Sequence, residues 1–142
     1  MKIEEAAQLL KLENTKSLRP FQEEDPFNHQ EVRGYISSYP DYRYGALAIS
    51  HVGQFKCPQV IFGTPKIRYP FDRLGRWTFP PTDKVFVYDK IDGTNVLGFT
   101  YRGPRNKYYT SYKTRLMPFV GDRRNGKFFS LWNLILKKYP QI

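Results

Sequence analysis

The sequence has a single cysteine and only two histidines. Cys57 therefore has no partner for an internal disulfide. Cys57, His29 and His51 together fall short of the four ligands that a structural zinc site takes. No apolar run approaches the ~18 residues needed to cross a bilayer. The first residues, Met1-Lys2-Ile3-Glu4-Glu5, bring an acidic pair where a secretory leader carries its apolar stretch. A cytoplasmic protein is the default expectation. Acidic residues are also scarce. Asp and Glu total 13 against 23 Lys and Arg, a net charge of +10. An excess of that size favours an anionic partner, whether nucleic acid, nucleotide or membrane surface.

Apolar and aromatic residues are present in quantity. Hydrophobic residues make up 40% of the 142, enough for one domain with a real core and too many for a disordered chain. Aromatic residues reach 17%, with 11 Tyr and 11 Phe. They interleave with basic residues in Tyr42-Arg43-Tyr44 and across residues 102–115. That mixture suits phosphate contacts combined with base stacking. The same composition also fits a small β-rich domain with half-buried tyrosines and lysines outside.

Along the chain, residues 3–12 read as a short amphipathic helix, with Ile3, Ala6, Leu9 and Leu10 on one face. Residues 13–45 are polar and punctuated by Pro20, Pro26 and Pro40. They read as an irregular arm with one short helix near 30–38. Residues 46–52 and 59–62 are strand-like runs bounded by Gly and Pro. Residues 63–71 are extended and basic, and 72–83 read as a loop. Residues 84–88 are β-branched and aromatic, a strand, and 96–102 form a second. Gly103-Pro104-Arg105-Asn106 is a turn. Residues 107–115 form a third strand, with Tyr108, Thr110, Tyr112 and Thr114 on one face. Phe128, Leu131, Trp132, Ile135 and Tyr139 recur at helical spacing, with Lys137 and Lys138 at the C-terminal end where cations are favoured. Asp122 or Asn125 would cap that helix. The division expected is an N-terminal arm with the first strands over 1–62 and a second part over 63–142, within one structural domain. The fold class is α+β, antiparallel sheets with flanking helices.

Chemistry is concentrated in Asp89-Lys90-Ile91-Asp92-Gly93-Thr94-Asn95-Val96. A lysine nucleophile must be held near its electrophile and lose its proton before it attacks. A strand ending at Asp89 would fix the backbone from which Lys90 projects. Gly93 permits a tight turn and a close approach, and Asp92 and Asn95 are turn formers able to hydrogen-bond a sugar or water. Lys-x-Asp-Gly alone arises by chance in a few per cent of chains of this length, and Asn95 lowers that to roughly 1 in 1,000.

This segment resembles the nucleotidyl-transfer motif of the covalent nucleotidyltransferases, the superfamily of RNA ligases, DNA ligases and mRNA capping enzymes. The form with Asn five residues after the lysine is most similar to phage-type ATP-dependent RNA ligases. Thr114-Arg115-Leu116-Met117-Pro118-Phe119-Val120, with Arg115 25 residues after Lys90, is similar to the family's next motif. The resemblance implies a partial nucleotidyltransferase (ATP-grasp-like ligase) domain. In such a domain Lys90 attacks the α-phosphorus of ATP, expels pyrophosphate and forms a lysyl-adenylate. AMP then passes to a nucleic-acid 5′-phosphate, and a 3′-hydroxyl displaces it to seal the strand. By the same resemblance, backbone at Asp89 and Ile91 lines the adenine pocket, Asn95 meets the ribose or a metal-bound water, and Arg115 contacts phosphate or sugar. Lys66 and Arg68 are candidate phosphate or nucleic-acid contacts. ATP and Mg²⁺ (or Mn²⁺) are the implied cofactors and RNA, rather than DNA, the implied polymer. The family's later motifs, which supply metal-binding glutamates and two phosphate-gripping lysines, have no counterpart after Tyr139. The expectation is therefore a fragment, a split enzyme completed by a second chain, or a catalytically incomplete basic nucleotide- or RNA-binding module. Weak or no adenylylation by these 142 residues follows from the same expectation.

Overall fold

The structure, a computed structural model, describes residues 1–65, 69–89, 92–122 and 127–142. It is mixed α+β, with antiparallel sheets and two α-helices. Helix α1 (Ile3–Leu9) is followed by strands β1 (Leu18–Asp25), β2 (Gln30–Ser37), β3 (Leu47–Val52) and β4 (Phe55–Ile61). These four make one antiparallel meander in sequence order. Strands β5 (Leu97–Arg102) and β6 (Tyr108–Lys113) form a separate hairpin, closed by a 3₁₀ turn at Pro104–Asn106. Helix α2 (Phe128–Lys138) follows.

Strand β3 holds the molecule together because both of its faces are buried. Leu47, Ile49 and Val52 pack with Val32 and Ile36 of β2 against Phe99, Tyr101 and Phe119. Ala46 and Ala48 point the other way, where their small side chains let α1 settle through Ala6, Ala7 and Leu10. A core shared by β2, β3 and β5 spans the expected boundary at residues 62 and 63. The outer face of the hairpin meets α2 through rings. Tyr112 lies 5.1 Å from Phe27 and 5.4 Å from Trp132, and Phe27 lies 5.2 Å from Phe129. The N-cap position of α2 is Lys127, not Asp122, but the backbone N–H of Phe129 in the first turn donates to Asp122 Oδ1 at 2.7 Å. Asn125 lies outside the described residues.

Three expectations are corrected. Residues 13–45 are not an irregular arm with a helix near 30–38, because they carry the β1–β2 hairpin. Pro20 is tolerated there because β1 is an edge strand, where alternate N–H positions face away from its one neighbour β2. Val32, Gly34 and Ile36 alternate inward along β2, a period of two that the surrounding charges obscure. Residues 84–88 are not a strand. They belong to no helix or strand, and Val85, Phe86, Val87 and Tyr88 are between 61% and 90% exposed. Strand propensity reports a fit to a half-buried pleated surface, and this segment has none beneath it. In α2, Leu131 is exposed and the inner face is instead Phe128, Phe129, Trp132, Asn133, Ile135 and Leu136.

Candidate nucleotide site

The register of the hairpin decides which residues share an end of it. Leu97 pairs with Lys113, and Arg102 pairs with Tyr108 beside the turn. Asn95 enters β5 two residues before Leu97, and Arg115 leaves β6 two residues after Lys113. Both therefore sit at the open end of the hairpin. Both are exposed. Asn95 Oδ1 accepts a hydrogen bond from Thr64 Oγ1 at 2.9 Å, which brings the chain leaving β4 to the same end. The Arg115 guanidinium lies 6.0 Å from the centroid of the Tyr44 ring.

The loop between β2 and β3 supplies Tyr44 and is itself braced. Arg43 grips Asp41 through Nε and Nη2 and stacks on Tyr39 and Tyr42, at 4.7 and 5.1 Å. It also donates to the carbonyls of Leu10 and Lys11, tying the loop to the end of α1. The hydrogen-bonded guanidinium holds the Asp41 carboxyl below the usual carboxylate range. Gly45 has φ +80°, and a Cβ there would sit 1.9 Å from the Arg115 carbonyl oxygen. Gly63 is equally confined, its added Cβ falling 2.5 Å from the Tyr44 carbonyl oxygen. Segments 44–45, 63–64 and 113–115 thus pack backbone on backbone, which only glycine permits. Gly45→Ala should cost about 2 kcal/mol from strained φ and the carbonyl clash combined. Urea denaturation checks this, and a change under about 0.5 kcal/mol would contradict the close approach.

Beneath this end lies a residue that the sequence motifs did not single out. Lys113 is 1% exposed. Its Nζ donates to the carbonyls of Thr114 and Arg115, at 2.8 and 3.2 Å. Among the described residues no carboxylate forms an ion pair with it. Burial pushes its pKa down to about 8. The signal was in the alternation: Tyr109, Ser111 and Lys113 form the inward row of β6, and a lysine in such a row is unusual.

The other sequence candidates are distributed differently. Asp89 is exposed, in the segment without regular structure. Lys90, Ile91, Lys66 and Arg68 lie outside the described residues. The described residues contain no group of three or more His, Cys, Asp or Glu able to hold a metal ion, so they form no protein cage for Mg²⁺ or Mn²⁺. No helix among them is long and apolar enough to cross a membrane. No family model, curated protein or solved structure matches the chain.

Proposed function

We propose that this chain carries the nucleotide-binding part of an ATP-dependent RNA-ligase-type nucleotidyltransferase, with Lys90 as the adenylylated residue. The observation that supports this reading most is the hairpin register, which gathers Asn95, Lys113 and Arg115 at one end. Lys90 precedes Asn95 by five residues, and Lys66 and Arg68 follow Thr64, the hydrogen-bond partner of Asn95, by two and four. In the reaction the neutral Lys90 amine attacks the α-phosphorus of ATP. An N–P bond forms as the P–O bond to pyrophosphate breaks, and the amine proton passes to solvent. Arg115 and Lys113 contribute positive potential, which lowers the pKa of a neighbouring amine and stabilises charge on the phosphates. Asn95 offers an amide to the ribose. RNA is the polymer acted on.

A second reading is a basic nucleotide- or RNA-binding module without chemistry. The exposed, unpaired state of residues 84–88 favours it, since no strand fixes the approach to Lys90. ATP binding separates the possibilities. Lys90→Ala, Arg115→Ala and Lys113→Met should each weaken ATP binding about ten-fold, the value of one charge-assisted contact. If Lys90→Ala and Arg115→Ala bind like the parent, or the parent binds no ATP, the nucleotide pocket is wrong. RNA binding with a steep salt dependence in a chain that binds no ATP identifies the module instead. An alkali-stable, acid-labile adduct from labelled ATP, as a P–N bond gives, that maps to Lys90 is the mark of the enzyme.

A further inference from the structure

A projecting hairpin between β4 and β5 is left unexplained by the core and by the site above. Residues 69–79 close on themselves. Thr78 N–H donates to the Pro70 carbonyl at 2.7 Å and Asp72 N–H to the Arg76 carbonyl at 2.9 Å. Asp72 Oδ1 accepts from the N–H groups of Leu74 and Arg76, at 2.8 and 2.9 Å, and Gly75 turns the tip at φ +77°. Phe71 and Trp77 face each other across this hairpin as a bridge pair. Their ring centroids are 5.4 Å apart, and Trp77 continues to Phe79 at 5.5 Å, both edge to face. The ladder is held in place yet stays in solvent. Trp77 is 44% exposed and Phe71 55%.

An ordered row of exposed rings marks a contact surface, because the edge-to-face contacts within the hairpin still leave 39% to 55% of Phe71, Trp77 and Phe79 in water. The charges around it select the partner. Arg73 and Arg76 flank the tip in a chain of net charge +10, and Arg76, though its Nε pairs with Asp72 Oδ2 at 3.2 Å, keeps its side chain 72% exposed. Insertion into lipid would require an apolar tip, whereas Leu74 stands between two arginines and Asp72. We infer that this hairpin is a stacking platform for the unpaired bases of a single-stranded nucleic acid, with Arg73 and Arg76 against its phosphates. Every base offers a π-face, so the platform tolerates any sequence and requires strands whose bases are not paired. The inference rests on the nucleic-acid half of the proposed function and not on Lys90.

Fluorescence tests it, because the chain has two tryptophans and Trp132→Phe leaves Trp77 as the sole indole. In that background a single-stranded 15-mer of uridine should quench Trp77, and a duplex of mixed sequence should quench it less. By anisotropy of a labelled 15-mer, Trp77→Ala and Phe71→Ala should each weaken binding about ten-fold, and Trp77→Phe should restore most of it. Far-ultraviolet circular dichroism should be unchanged, since neither ring belongs to the buried core. Salt-dependent RNA binding that is identical in parent and both alanine variants would overturn the platform while leaving an RNA-binding protein. A parent that binds no RNA would overturn both. Quenching by anionic phosphatidylserine vesicles in place of RNA would assign the hairpin to a membrane surface and reject the inference.

Discussion

Asp25→Ala should destabilise the fold by about 4 kcal/mol, a large part of the 5–15 kcal/mol that typically holds a domain together. Asp25 is fully buried at the end of β1. Its Oδ2 accepts from Tyr101 Oη at 2.7 Å and from Asn28 Nδ2 at 2.7 Å, and its Oδ1 from Ser111 Oγ at 2.8 Å and Phe27 N–H at 3.0 Å. Tyr101 lies on β5 and Ser111 on β6, so one carboxylate links the four-stranded sheet to the hairpin that carries the candidate site. Removing it leaves two buried hydroxyls without an acceptor, at roughly 1–3 kcal/mol each. Burial first, and the hydrogen bond to Asp25 second, push the Tyr101 phenol far above its ordinary pKa. Ser111→Ala, which removes one partner and leaves the carboxylate its other three, should cost only about 1 kcal/mol. A cycle with Tyr101→Phe should be strongly non-additive, because the second change removes a group that the first has already orphaned. Urea denaturation of the four proteins decides the matter. A loss below about 1 kcal/mol for Asp25→Ala would mean that the two sheets are joined by apolar contact alone.

The polarity of this network explains why it was invisible in the sequence. Tyr101 and Ser111 lie 76 and 86 residues from Asp25 along the chain, and none of the three stands in a motif. What periodicity reports is the local period of burial. It located β3, β5, β6 and α2, although the inward row of β6 ends in Ser111 and Lys113, and Leu131 of α2 faces outward. It failed at β1 and β2, where an edge proline and a charged outer row hid the alternation of Val32, Gly34 and Ile36. It failed in the opposite direction at residues 84–88. There Val85, Phe86 and Val87 have every local preference for a strand and no neighbouring strand to pair with. The candidate site divides along the same line. Asn95 and Arg115 were legible as a spacing, since spacing is local in β5 and β6. Tyr44, Gly45 and Thr64 reach the site only through the loops that precede β3 and follow β4, and no motif marks a tertiary approach.

Lys113 is where stability and the proposed chemistry pull against each other, and a pH series should expose it. A lysine whose folded pKa is about 8, against about 10.4 unfolded, is charged in both states below pH 8 and carries its full desolvation cost there. Between those values the unfolded chain holds more protons than the folded one, so stability rises with pH. The gain should reach about 3 kcal/mol on approaching pH 10. Above about pH 10 the raised pKa of Tyr101 acts in the reverse sense, because the unfolded phenol ionises while the buried one does not, and stability falls again. The combined contribution of these two groups should therefore peak near pH 10. Lys113→Met fills a similar volume without the charge. It should be more stable than the parent at pH 7 by about 2 kcal/mol and should lose the rise above pH 8. The same substitution should weaken ATP binding, since the positive potential at the open end of the hairpin goes with it. A Met variant that is stabilised and binds ATP as the parent does would assign the lysine to folding alone and remove it from the proposed site. A variant that keeps the alkaline rise would show that some other group titrates there. Gained stability with lost nucleotide affinity is the combination expected of a residue kept in the core for its charge.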